Sequence, residues 1–477
     1  MGANYLITSE NELIRFSELK NKVPSVICDS ALHDSICFNI ARRKISDIES
    51  DRFKLYVNLL ILKSSKAKEL TALIFIITNS LFDVKEINCN YIERSFFDDF
   101  IDTKYNIKYI TSRREYNFID AKYKYIIFPA KMLIHRLYRL LRSGGSCKNV
   151  IIKTYVEDTL NFYKEEMNNS TIFLYPFNLN FNRQKRFIKY CKEQHNGSYS
   201  LMGNPYNLFY YIFGLVTKNS DINVVNIERK AYYEHSIELL NWGVKQLFTL
   251  DEFEAASFIM NGNLIKNNVF VLNKTHGVGL YCLYLNYSTI EVYTSRQYMR
   301  YRQWNPHINI SFQKLNILYK YDNACRNEKI KLVFMHGNYK DHGILYDEEL
   351  QKKIVVKLQE VSSKLDLEYY IKFHPNSTSQ TKEDYANLNI KELDSVLQIK
   401  NPLFITIIST SFYDFLKFGP FVFLSDDLLN PILAFGDDIL SWHNYNNAES
   451  AISDNTNFLN YKALHKSQIE HLNNRQE

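Results

Sequence analysis

In the last third of the chain, short apolar runs alternate with longer amphipathic stretches. Lys329 to Met335 (KIKLVFM) is rich in strand formers, and residues 348–365 then place Leu350, Ile354, Val355, Leu358, Val361 and Leu365 at helical spacing. A second run, LEYYIKF (367–373), stops at His374-Pro375. SVLQI (395–399) and LFITII (403–408) follow, then Ser409-Thr410-Ser411, a helix-like FYDFLKFG and a further run, PFVFL (420–424). Strands that alternate with helices predict a parallel sheet covered on both faces.

Upstream, the same reading expects strands at Tyr5–Thr8, Ser25–Cys28, Tyr123–Phe128, Asn149–Tyr155, Thr171–Tyr175, Val269–Leu272 and Thr289–Tyr293. An insertion of undetermined structure is expected around 180–265. The polar stretch Tyr321 to Glu328 marks the boundary between an N-terminal α/β domain (1–325) and a C-terminal Rossmann-like domain (326–477). Two such domains leave a crevice at the carboxyl ends of their strands, where ligands sit.

Composition narrows the class. The 477 residues are 46% hydrophobic and 23% charged, which excludes fibrous and disordered chains. With 14 glycines and no G-x-G-x-x-G or G-x-x-x-x-G-K-[ST], a standard dinucleotide fold or P-loop ATPase is not expected. Leu70 to Phe82 is too short and too polar to span a membrane and reads as a buried helix. The N-terminus lacks an apolar secretory core, and the seven scattered cysteines form no C-x-x-C. Both features suit a reducing cytoplasm.

The net charge of +6 is concentrated. Asp102 to Lys153 carries 12 Lys/Arg against 3 Asp/Glu, and AKMLIHRLYRLLR (130–142) sets Arg136, Arg139 and Arg142 three apart. That spacing makes either a solvated helix face or a contact for an anionic membrane surface or a polyanionic acceptor. Nucleic acid is not expected, because no recognition motif accompanies the charge.

Candidate chemistry collects where strands are expected to end. Proline holds His374 extended, beside Lys372, so its ring projects from the strand end and could donate to a phosphate. Ser409, Thr410 and Ser411 lie between a strand and a helix, as an anion site or a plain helix cap. His336, Gly337 and Asn338 end the first strand of the C-terminal domain. Glu157 and Asp158 follow the strand NVIIKTY, where a carboxylate could accept a proton from an attacking hydroxyl. His276 follows another strand in THGVGLY, with Gly277 and Gly279 allowing close backbone approach. No D-x-D accompanies these motifs, and neither a metal ion nor another cofactor is expected.

IKFHPNS, ISTSFYDFLKFGPFVFL and, upstream, YKYII followed by VIIKTYVEDTLNFYKEE resemble bacterial sialyltransferases and polysialyltransferases of the GT-B fold and related Kdo transferases. That group carries an acidic D/E-D/E-G motif, a His-Pro motif and a Ser/Thr-rich motif. The resemblance implies an α/β GT-B fold, with two Rossmann-like domains facing each other across a cleft. It implies that His374, Pro375 and Ser409 to Ser411 hold the phosphate of a CMP-activated sugar donor, and that Asp158 or Glu157 is the catalytic carboxylate. Thr159 stands where the motif has glycine, and 216 residues separate Asp158 from His374. His276-Gly277 instead resembles the His-Gly of teichoic-acid-type polymerases, which use CDP-linked polyol donors. The expected protein is a cytoplasmic, membrane-peripheral glycosyltransferase of capsule or lipopolysaccharide synthesis with a glycan or glycolipid acceptor. The alternatives are a CDP-polyol phosphotransferase and a non-catalytic glycan-binding subunit.

Overall fold

The computed structural model describes residues 4–25, 31–101, 105–112, 117–119, 150–154, 171–174, 199–201, 208–216, 220–275, 281–313, 328–375, 377–388, 390–409 and 411–475, with single positions or pairs at 133–134, 137, 163, 185, 189–190, 193 and 277. In chain order its strands are β1 Tyr5–Thr8, β2 Leu13–Arg15, β3 Val84–Asn90, β4 Lys108–Ser112, β5 Val150–Thr154, β6 Thr171–Leu174, β7 Tyr199–Leu201, β8 Gln246–Thr249, β9 Phe270–Lys274, β10 Thr289–Val292, β11 Asn309–Phe312, β12 Lys331–Met335, β13 Tyr369–Lys372, β14 Lys391–Glu392, β15 Pro402–Thr406, β16 Phe421–Ser425 and β17 His443–Asn444.

Among the described residues these strands make three sheets. A seven-stranded sheet runs β11-β10-β9-β8-β5-β6-β7, and a six-stranded sheet runs β14-β13-β12-β15-β16-β17. Both are parallel throughout. Numbered within itself, each carries the doubly wound 3-2-1-4-5-6 order, the first with one further edge strand. Strand order therefore reverses between β5 and β8 and again between β12 and β15. The expected α/β class with two Rossmann-like units is observed.

Burial explains why these strands read as they do. Every residue of β15 and β16 is buried, as a parallel strand covered on both faces must be, so each is an unbroken apolar run. Helix Leu345–Lys364 covers one face with Leu350, Ile354, Val355, Leu358 and Val361. SVLQI departs from expectation. Ser395 accepts a hydrogen bond from the Leu397 amide, and Val396–Gln398 forms one tight 3-10 turn instead of a strand.

The remaining sheet, β2-β1-β3-β4, is mixed and shares a hydrophobic core with the seven-stranded one. Helix Ser65–Thr78 buries Leu70, Leu73, Ile74, Ile76 and Ile77, as the apolar run predicts. Asn58, fully buried on helix Asp51–Lys63, fastens the two parts. Its amide donates to the carbonyls of Ala255 and Tyr284, and its oxygen accepts from Leu283 N and Tyr284 N. The stretch 180–265, expected as an insertion, contributes β7 and β8 to the seven-stranded sheet, with β8 as its central strand. A second core gathers buried residues between Ile330 and Leu472.

Candidate functional site

The two parallel sheets turn their carboxyl ends toward each other. Ser295 follows β10, and its backbone N–H lies 3.3 Å from both carboxylate oxygens of Asp438, in the segment after β16. Asp438 is almost fully buried and also accepts from Tyr413 Oη at 2.5 Å and from Arg475. The Arg475 guanidinium covers the ring of Phe312, the last residue of β11, at 4.7 Å. The rings of Tyr293 and Tyr413 meet at a tilt, 5.4 Å apart, across the same seam. Gly436 has φ 65°, and a Cβ there would come within 2.7 Å of Ser295 Oγ, so only glycine suits the position. At another point Ser25 donates from N and Oγ to Asp347, at 3.0 and 2.5 Å.

On the second unit, three strand ends converge at the switch point. His336 closes β12, His374 lies two residues past β13, and Ser409 three past β15. His336 is 4% exposed, packed against Phe373 at 4.9 Å and Tyr385 at 5.0 Å, and neither ring nitrogen has a hydrogen-bond partner among the described residues. Burial, reinforced by the neighbouring His374, lowers its pKa to about 3, so the ring is neutral at pH 7. Its backbone N–H donates to the carbonyl of Lys372, which ties the first two strand ends together. A Cβ on Gly337 would run into the Tyr339 ring, whose hydroxyl donates to Ile408 O at 3.0 Å and ties in the third. Gln351 fixes the turn by accepting from Gly337 N at 2.7 Å. Asn338 is buried, whereas His374 and Pro375 are exposed and Lys372 half-buried.

The hydroxyl motif behaves partly as a cap. Ser409 Oγ lies 2.6 Å from Ser411 Oγ and accepts from Ser411 N at 3.2 Å. The helix it opens, Ser411–Phe415, has five residues instead of the longer one expected, so the hydroxyls rather than a helix dipole are what a ligand would meet here. Thr410 lies outside the described residues.

On the first unit, the switch point holds a cluster that the sequence reading missed. Lys153, fully buried near the end of β5, pairs with Asp251 at 2.8 Å and Glu254 at 2.6 Å. Asp251 also accepts from Tyr287 Oη at 2.6 Å, and Glu254 from Ser257 Oγ at 2.7 Å and from Tyr232. Asn273, on β9, accepts from Asp251 N at 2.9 Å and donates to the buried Glu252 at 3.0 Å. Burial alone would lower the Lys153 pKa, but the Asp251 and Glu254 carboxylates outweigh it and hold it above the usual lysine value. Burial would likewise raise Glu254, and Lys153 instead draws it down to about 2. The signal was present: Lys153 is the one charge in VIIKT, and LDEFE follows β8.

Glu157, Asp158 and His276 lie outside the described residues, as do Arg136, Arg139 and Arg142. Their anchoring strands are placed: β5 ends at Thr154 and β9 at Lys274, on either side of β8. Gly277, next to His276, accepts from Gln297 Nε2 at 2.7 Å. Gln297 also completes a capping box with Thr294 at the start of helix Ser295–Trp304. Leu133 and Leu137, in the same stretch as these arginines, are 61% and 52% exposed. Among the described residues no group of three or more His, Cys, Asp or Glu is placed to hold a metal ion, and no helix is long and apolar enough to cross a membrane.

Two doubly wound units with facing carboxyl ends define an α/β protein of the GT-B type. No family model and no curated protein sequence matches the chain. Among solved structures it is similar to the UDP-GlcNAc 2-epimerase of Methanocaldococcus jannaschii in complex with UDP-GlcNAc and UDP, at 16% identity and TM-score 0.34 over 65% of this chain and 92% of that one. It is also similar to MurG of Acinetobacter baumannii (9% identity, TM-score 0.43, 67% and 94% covered) and to the lipopolysaccharide outer core galactosyltransferase WaaB (10%, 0.36, 69% and 99%). The strand orders and the seam by themselves make the GT-B arrangement.

Proposed function

We propose that the protein is a glycosyltransferase that moves a sugar acid, sialic acid or Kdo, from a CMP-activated donor to a bacterial surface glycan or glycolipid. The observation that carries this reading is the facing of two switch points, one rimmed by imidazoles and hydroxyls and the other braced by buried charge. The nucleotide lies on residues 326–477, with Lys372, His374, Ser409, Thr410 and Ser411 around its phosphate and His336, Gly337 and Asn338 beneath. Residues 1–325 hold the acceptor. Asp158, with Glu157 beside it, takes the proton of the acceptor hydroxyl as its oxygen attacks the anomeric carbon, and CMP departs with the electrons of the broken C–O bond. Fixed cations and hydroxyl donors stabilise the leaving phosphate without a metal. His276 lines the cleft. Arg136, Arg139 and Arg142 meet anionic headgroups on the inner face of the cytoplasmic membrane.

A thermal-shift series with CMP, CDP, UDP and GDP tests the donor. CMP at 100 times its dissociation constant should stabilise the fold by about 2.7 kcal/mol. A response to UDP with none to CMP would replace the donor, and silence toward all four would remove the transferase reading. Asp158→Asn should lower turnover roughly 100- to 10,000-fold with CMP binding kept. Normal turnover in that variant with a dead His276→Gln would move the base to His276, as in the polyol-phosphate reading.

A further inference from the structure

A cavity of about 820 Å³ opens at the opposite end of the first unit's parallel sheet. Its walls are the segments that lead into β9, β10 and β11, namely helix Ser257–Lys266 and residues 284–288 and 303–307. They lie at the amino ends of these strands, so the full length of the sheet separates the cavity from the cleft. Its size is that of a small-molecule site.

Its lining is aromatic and amide-rich. Trp304 meets Phe38 at 5.9 Å and Tyr284 at 5.8 Å, the latter edge-on at 79°, and Tyr233 adds a ring that is 49% exposed. Between the rings stand amides held in fixed orientations. Asn286 donates to Phe258 O at 2.8 Å and lies 3.1 Å from His307 Nε2, while Asn263 donates to Ser236 Oγ at 2.7 Å. Charge balances across the lining: Glu49 and Asp51 oppose Lys54 and Lys266. Burial, then Lys54, lowers the His307 pKa and leaves its ring neutral at pH 7. A lining with no net charge does not select a phosphate or a carboxylate. Amides offer a donor and an acceptor side by side, which matches hydroxyl groups, and flat rings match the apolar faces of a pyranose.

A second cavity of about 590 Å³ shares Phe38, Gln303 and Trp304 with the first and continues along helix Ser295–Trp304 to Arg296. The backbone of Arg296 abuts Gly436 at the seam between the units. The second cavity, lined by Asp34, Arg296 and Arg300 as well, is charged and runs toward the seam, whereas the first stays at the amino ends of the strands.

We propose that the first cavity binds a neutral oligosaccharide, with sugar faces on Trp304 and Tyr284 and hydroxyls on Asn263, Asn286 and Gln303. It is a second site, remote from the cleft, and it does not depend on the transferase reading. The test uses the full chain with chitotetraose, maltotetraose and lacto-N-tetraose as neutral probes, and 3′-sialyllactose and CMP as charged ones, followed by saturation-transfer NMR and calorimetry. At least one neutral tetrasaccharide should bind saturably and resist displacement by CMP. Tyr233→Ala and Gln303→Ala, both at exposed positions that the fold does not need, should each weaken that binding roughly two- to tenfold. Absence of binding by all three neutral probes, affinities unchanged in both variants, preference for sialyllactose, or displacement by CMP would each overturn the proposal. The last outcome alone would point to the cleft, so failure here leaves the donor test untouched.

Discussion

The carboxyl ends of the two parallel sheets treat charge in opposite ways. At the first, Lys153 is sealed from water between Asp251 and Glu254, with Tyr287, Tyr232 and Ser257 completing the carboxylates' hydrogen bonds. At the second sheet's switch point the buried ring is a neutral imidazole, with the buried Asp438–Arg475 pair set apart at the seam, and His374, Ser409 and Ser411 are exposed or half-exposed. The same strand order thus gives one end braced by ions and one left open to a ligand. Bracing suits a surface that must hold its shape while an acceptor docks. An open end with hydroxyls and an imidazole within reach of solvent suits a small ligand that brings its own negative charge.

The largest expected effect breaks the braced end. Lys153→Met leaves two buried carboxylates without their cation and should cost about 3–5 kcal/mol in a denaturant titration. Replacing Asp251 and Glu254 by Asn and Gln in the same chain should recover part of that loss. A loss in the single variant no greater than that of an exposed lysine would show that the two ends do not differ in this way. His374→Ala addresses the open end. It should weaken CMP binding by about 1.5–3 kcal/mol, a hydrogen bond to a charged group, and leave the denaturation midpoint where it was. A shifted midpoint with unchanged CMP affinity would make His374 a structural residue.

The remaining effect vanishes near neutral pH and concerns acid. The folded-state pKa of His336 lies near 3, below the ordinary value of 6.5, so the unfolded chain binds the extra proton between those values. Stability is fully present above about pH 6.5 and falls as pH drops toward 3, by about 1.4 kcal/mol for each pH unit within the window. His33, buried beside Thr71 with a pKa near 4, acts in the same direction. His336→Phe should flatten the acid limb of the stability curve in part, and an unaltered limb would show that His336 is not the group being charged.

The second unit was legible because its strands are buried on both faces. Runs such as LFIT and FVFL admit few other readings, and the residues just past them were found with them. Its edge strands were not. β14 is Lys391-Glu392 and β17 is His443-Asn444, two polar residues each, placed by the neighbouring strand and not by their own pattern. In the first unit β8 is only four residues long, and its site residues lie 98 and 101 positions from Lys153. A lysine in an apolar strand can be noticed, but its partners are known only after folding brings β5 beside β8. Ser409 lies between strand and helix as read, while the helix behind it stops at Phe415, ahead of Gly419, where a side chain would strike the carbonyl of Pro402.

Helix Ser295–Trp304 has a consequence in mechanics. Its first residue is bonded to Asp438 of the second unit, its last forms the aromatic wall of the remote cavity, and between them Arg300 grips Asp34 in a buried two-point contact at 2.6 and 2.8 Å. At about 1.5 Å per residue, the ten-residue helix is a rod of about 15 Å pinned along its length. It is a lever with a fulcrum. A change in the angle between the units must either break the Ser295–Asp438 contact or tilt the rod about Arg300, and a tilt moves Trp304 in the opposite sense.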